Sequence, residues 1–251
     1  MIDLSAFSLA GRIILVTGAN TGIGQGIAVA VAKAGGRVLG VGRSSLEETA
    51  DLVGEPFVPI TCDLADHAGA LAMLAEAERR HGPIHGLVNN AGIIRRADST
   101  EHSEADWDAV LDLNLKTVFL LSQAFARTAI AAGRAGRIVN IASLLSFQGG
   151  IRVAAYTASK HGVAGLTKVM ANEWAGRGIN VNAIAPGYVE SNNTEALRAD
   201  PERSASILGR IPAGRWGKPS DIGDAAVFLL APASDYMHGA VIPVDGGWLA
   251  R

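Results

Sequence analysis

From residue 12 to residue 90, short β-branched runs alternate with longer alanine-rich segments. "RIILVT" precedes "GIGQGIAVAVAKAG", "RVLGV" precedes "SLEETADLV", "FVPIT" precedes "DHAGALAMLAEAERRHG", and "IHGLVNN" follows. This alternation predicts strand–helix repeats, and so a parallel sheet with helices on both faces. Farther on, residues 104–132 and 155–177 read as long helices, and "GRIVNIAS", "INVNAIAP" and "AVIPVDGG" as strands, which brings the strands to seven. No proline-rich linker, low-complexity tract or internal repeat divides the chain. The expectation is a single α/β, Rossmann-like, doubly wound domain over residues 1–251 with a seven-stranded parallel sheet. The polar stretch 188–218 interrupts the rhythm and is the expected substrate lid, an ordinary surface excursion being the alternative.

Composition narrows the function. With 251 residues, 49% of them hydrophobic, the chain can bury a large core. A net charge of −2, with acidic and basic residues dispersed, offers no basic stripe for nucleic acid and no polybasic membrane patch. The single cysteine, Cys62, gives neither an intrachain disulfide nor a metal cluster, so no metal is expected and a reducing, cytoplasmic location is. No secretory leader pattern and no uncharged apolar run of bilayer length is present.

"TGANTGIG" at 17–24 follows the first strand directly and opens the first helix. Gly18, Gly22 and Gly24 let the backbone turn sharply toward a pyrophosphate, whose charge is stabilised by free N–H groups at the positive helix end; Asn20, Thr21 and Ile23 complete the turn. The spacing G-x-x-x-G-x-G departs from the commoner G-x-G-x-x-G, and glycines in such turns also serve purely structural ends. Asp63, with Leu64 beside it after the third strand, is a candidate acceptor for an adenine amine. "NNAG" puts Asn90, Ala91 and Gly92 at the carboxyl edge of the sheet, where open α/β sheets bind ligands. The second strand ends Val41-Gly42-Arg43-Ser44, without the carboxylate that would accept from two ribose hydroxyls. Arg43 there slightly favours NADP(H) over NAD(H); a solvated Arg43 with NAD is the other reading.

"YTASK" sets Tyr156 and Lys160 four residues apart, on one helix face. An ammonium close to the phenol would lower its pKa toward the range of a useful base. The small residues Thr157, Ala158 and Ser159 between them would leave room for a flat nicotinamide. Ser143, at the end of "GRIVNIAS", is a candidate to hold a substrate oxygen, and Asn114 to anchor a water that passes protons to Lys160. Singly, each has a bland reading as a solvated or capping side chain.

Taken together, "TGANTGIG", "NNAG", Asn114, Ser143, "YTASK" and the Pro186-Gly187 pair resemble the motif set of the short-chain dehydrogenase/reductase family, in order and over essentially the whole chain. The resemblance implies a Rossmann-like fold and a nicotinamide cofactor. It also implies Tyr156 as acid/base, Lys160 on the nicotinamide ribose, Ser143 orienting substrate and Asn114 completing a proton relay. Val189 would meet the nicotinamide amide through its backbone, and Ser191 stands where the family commonly has a threonine. In this family the long helices pair between subunits, so a homotetramer is expected.

"IIRR", "SFQGGIRVAAYTASK", "ANEWA" and the closing "DGGWLAR" resemble the family's sugar-acid dehydrogenases. The expected reaction moves a hydride between nicotinamide and a secondary alcohol or ketone of a deoxy or keto sugar acid, of the 2-dehydro-3-deoxygluconate or gluconate type. Arg95, Arg152 and Arg215 are the expected carboxylate grips, with Gln148, Asn192 and Asn193 offering amides to hydroxyls. Two other readings stand beside it: a 3-oxoacyl thioester reductase, which would need an apolar acyl channel, and a nucleotide-sensing protein that kept the fold without the chemistry.

Overall fold

A computed structural model of the chain describes residues 4–55 and 57–250. Strands β1 (Ile13–Thr17), β2 (Arg37–Gly42), β3 (Phe57–Thr61), β4 (Gly86–Asn89), β5 (Gly136–Ile141), β6 (Ile179–Pro186) and β7 (Val241–Val244) form one sheet in the order β3-β2-β1-β4-β5-β6-β7. Every pairing is parallel. The strand order reverses between β1 and β4, so a crevice opens there at the carboxyl ends.

Because successive strand side chains point to opposite faces, the sheet feeds two cores. Ile14, Val16 and Val38 pack under α1 (Gly22–Lys33) and α9 (Pro219–Leu230), whereas Leu15, Leu39 and Val41 pack under α3 (His67–His81), α5 (Thr117–Ala131) and α6 (Ala154–Trp174). Strands buried on both sides must be apolar throughout, which is why these runs show little alternation. The short α2 (Glu47–Val53) links β2 to β3.

The helix expected over 104–132 is α4 (Glu104–Leu111) continued into α5 through a π-helical step at Asp112–Lys116. The whole span is long and apolar enough to cross a bilayer, but Val110, Val118, Leu121 and Phe125 are buried inside the protein, as in a core helix. Residues 188–218 fold over the carboxyl edge as α7 (Asn192–Ala199) and α8 (Pro201–Leu208).

Candidate active site

The first strand-to-helix turn shapes one wall. Gly18 and Gly22 sit at φ +64° and +55°, and a Cβ on Gly24 would lie 2.0 Å from the Gly18 carbonyl oxygen, so side chains are excluded where the backbone doubles on itself. Asp66 and Ser103 cap α3 and α4 with side-chain acceptors, but Thr21 makes no side-chain cap for α1. The first-turn N–H groups of α1 therefore face a cleft of about 340 Å³ lined by residues 21–24.

"NNAG" works largely as a clamp. Asn90 Nδ2 donates to the carbonyls of Thr17 (2.9 Å) and Gly18 (3.1 Å), and the Thr17 hydroxyl accepts from the Asn90 and Ala91 amides. Asn89 donates to Ser122 Oγ and Asn140 Oδ1, and Asn140 to Thr167 Oγ1, a buried polar ladder from β4 through β5 to α6. Leaving such groups unpaired would cost about 1–3 kcal/mol each.

The first turns of α6 carry Tyr156 and Lys160. Lys160 is 5% exposed, its Nζ donates to the Ile141 carbonyl at 2.6 Å, and burial pulls its pKa down to about 8. Of three N–H donors one is thus taken by the protein, leaving two for the cleft that Lys160 lines. Burial pushes the Tyr156 phenol above its usual value; a hydrogen bond with Ser143 and the charge of Arg96 pull more weakly the other way. The expectation that Lys160 lowers the phenol does not hold in this geometry. Its ammonium lies 5.5 Å from the Tyr156 ring centroid and is drawn to Ile141.

The bare turn of "YTASK" also has another cause. Ser159 is fully buried, donates to the Tyr156 carbonyl at 2.8 Å and lies 3.4 Å from Asn114 Nδ2, so it packs α6 on the π-helical step. Asn114 is fully buried and does not line the cleft. Its amide exchanges two hydrogen bonds with Ile93, donating to the carbonyl (2.8 Å) and accepting from the N–H (2.9 Å).

An unblocked, positive helix end and a buried ammonium with spare donors, at the switch point of a parallel sheet, fit a dinucleotide with a nicotinamide ribose. Residues 18–249 match the family model described as enoyl-(acyl carrier protein) reductase. A 2-dehydro-3-deoxy-D-gluconate 5-dehydrogenase from Escherichia coli is 57% identical over 251 residues, covering 99% of both chains. The chain belongs to the short-chain dehydrogenase/reductase family. A solved Agrobacterium tumefaciens structure with bound NADP, provisionally named a 2-deoxy-D-gluconate 3-dehydrogenase, is 60% identical with a TM-score of 0.93 and covers 98% of this chain and 99% of its own. A Burkholderia cenocepacia gluconate 5-dehydrogenase in complex with NADP and tartrate is 40% identical, with a TM-score of 0.92 and 99% coverage of both chains. Like other dehydrogenases of this family, this one is a nicotinamide-dependent oxidoreductase of CH–OH groups.

Within this short-chain dehydrogenase, Gly18, Asn20, Thr21, Gly22, Ile23, Gly24, Asn90, Ala91, Gly92, Ser143, Tyr156, Lys160, Pro186, Gly187, Val189 and Ser191 converge on the cleft. Arg43, Asp63 and Leu64 do not line it. Arg43 is exposed after β2, near the glycine turn because Asn20 Nδ2 donates to Ser44 Oγ at 2.9 Å. The Asp63 carboxylate accepts from the Ala65 amide, and the Leu64 carbonyl accepts from the Thr117 hydroxyl. Asn192 and Thr194 also reach the cleft, and the Thr194 hydroxyl donates to the Val189 carbonyl at 2.6 Å.

A second cavity, about 540 Å³, adjoins Ser143 and Tyr156 beneath α7 and α8. None of the three arginines singled out in the sequence is on its wall. Arg95 pairs with Asp106 (3.2 Å), Arg152 with Asp98 (3.3 Å), and Arg215 with Asp221 through both guanidinium nitrogens. Arg96, Arg203 and Arg210 line the cavity instead, together with Gln148. Side chains adjacent in an irregular segment diverge, so no local pattern distinguishes Arg96 from Arg95. Arg203, Ser206, Ile207 and Arg210 recur at three- and four-residue steps, a helical face that was there to be read. The side chain of Asn193 lies outside the described residues.

Proposed function

We propose that this chain is an NADP-dependent dehydrogenase of a deoxy or keto sugar acid, of the 2-dehydro-3-deoxygluconate or gluconate type. One observation carries the substrate class. Beside Tyr156 and Ser143 the cavity presents three arginines, Arg96, Arg203 and Arg210, and no carboxylate among its lining residues. A guanidinium cluster in a partly closed space favours an anionic substrate, and a fork-shaped donor suits a carboxylate. The names of the Escherichia coli and Burkholderia relatives, and the tartrate held by the latter, agree with a hydroxylated acid.

When bound, the nicotinamide supplies the hydride acceptor for alcohol oxidation and the donor for ketone reduction. Tyr156 handles the proton: its phenol, kept neutral by burial, donates to the carbonyl oxygen, and its ionised form removes the hydroxyl proton in the reverse direction. Ser143 holds that oxygen beside the phenol. Lys160 turns its remaining donors toward ribose hydroxyls, and residues 18–24 offer backbone N–H groups to the pyrophosphate. Arg43 supplies the 2′-phosphate contact. Residues 188–218 act as the lid, and the long helices, which leave Trp107 and Val169 partly exposed, pair subunits into a soluble, cytoplasmic homotetramer.

A thioester reductase is the second reading, because Leu144, Leu145 and Ile207 give the same cavity an apolar side. The test is the change in nicotinamide absorbance with a sugar-acid panel and a 3-oxoacyl thioester, each with both cofactors. Turnover of a sugar acid with NADP supports the proposal; turnover of the thioester alone overturns it.

A further inference from the structure

The C-terminal stretch "DGGWLAR" contributes a side chain to the substrate cavity that the family chemistry leaves unused. Gly246 and Gly247 stand consecutively at φ +65° and +87°, and a Cβ on either would press on Ile211 or Pro212. Only glycine takes that double turn cheaply. Asp245 fastens the turn, its carboxylate accepting from the amides of Gly247 and Leu249 at 2.9 Å each. Trp248 is thereby delivered, 5% exposed, beneath α8 and against Tyr188, with ring centroids 4.8 Å apart.

Trp248 touches two polar cavity residues. The Arg210 guanidinium lies 4.1 Å from the centroid of its ring, and its Nε1 lies 3.4 Å from Gln148 Oε1. An indole nitrogen only donates, so it engages the amide oxygen of Gln148 and leaves the amide NH2 to point elsewhere. The ring face restrains an otherwise exposed arginine by cation–π attraction. Both effects turn donors toward the cavity that also holds Arg96 and Tyr156. We infer that Trp248 is a positioning residue that aims Arg210 and Gln148 at the carboxylate end of the substrate. The inference rests on the sugar-acid reading.

The experiment compares kcat and KM for a sugar acid and for its neutral amide in wild type, Trp248→Leu, Trp248→Phe, Arg210→Met and the Trp248→Leu/Arg210→Met double variant, with NADP affinity as the control for folding. For Trp248→Leu, the acid's KM should rise about two- to fivefold with a much smaller fall in kcat, the scale of one cation–π contact to an exposed arginine. The preference for acid over amide should fall with it. Trp248→Phe, which keeps a ring face, should lose less. The double variant should be worse than Arg210→Met only by the smaller share that passes through Gln148, well short of the sum of the two single losses, because Trp248 acts mainly through that arginine. Equal losses for acid and amide, or additive losses in the double variant, would mean a merely structural tryptophan and overturn the inference while the sugar-acid reading stands. A wild type with no preference for the acid would overturn both.

Discussion

Lys160 Nζ is hydrogen-bonded to the main-chain carbonyl of Ile141 at 2.6 Å, across the junction of α6 and β5. The Lys160 ammonium is thus held by the sheet itself, in a place where burial lowers its pKa from 10.5 to about 8. A lysine whose folded pKa lies below its unfolded one opposes folding when protonated: between pH 8 and 10.5 the unfolded chain binds the extra proton, so stability rises with pH through that window. Lys160→Met should therefore abolish turnover yet raise the thermal midpoint at pH 7, by up to a few kcal/mol in unfolding free energy, with the advantage shrinking above pH 8. Melting curves of both proteins across that range check it. A variant less stable than wild type at pH 7 would contradict it.

Tyr156 has the opposite disposition. Burial holds its phenol neutral at physiological pH, the state needed to protonate a carbonyl oxygen. Ketone reduction should stay level through neutral pH and fall in alkali, while alcohol oxidation should climb as the phenol ionises. Tyr156→Phe should cost turnover about 10²-fold or more in both directions and leave cofactor affinity nearly intact. The pH dependence of kcat/KM in each direction, measured on both proteins, tests the assignment.

Asn114 should prove to be a structural clasp. Replacing it with leucine takes the partners from the N–H and carbonyl of the half-buried Ile93, at a cost of about 1–3 kcal/mol in unfolding free energy. Denaturant titration gives the number. A change below about 0.5 kcal/mol would mean that water or another side chain replaces the amide readily.

On the proposed reading, Arg43 governs cofactor choice. Arg43→Ala should remove a roughly ten- to hundredfold preference for NADPH in affinity while leaving NADH almost unaffected. Added salt should weaken wild-type NADPH binding more than NADH binding, since the arginine is exposed. Equal effects on both cofactors would assign Arg43 to the adenine or to the loop.

The parallel sheet was legible because buried strands must be apolar, and the glycine turn because only glycine tolerates those backbone angles. The Tyr156–Lys160 pair was legible because helical spacing fixes which side chains share a face. The wall of the second cavity was harder. Arg95 and Arg215 turn to the nearby carboxylates of Asp106 and Asp221, and Arg152 to Asp98, fifty-four residues away, and no helical or strand period marks these pairs. The π-helical step at Asp112–Lys116 was equally silent, since it answers to the contact between Asn114 and Ile93 across twenty-one residues.

If the arginine-lined cavity reads a carboxylate while Tyr156 moves the proton, charge on the substrate must matter more than its sugar skeleton. The most direct test is the wild-type kcat/KM for a sugar acid set against the same sugar as its neutral amide, with NADP saturating. The acid should hold at least about a tenfold advantage, diminished when Arg96, Arg203 and Arg210 are changed to methionine. An amide oxidised as efficiently as the acid would contradict a carboxylate-reading cavity.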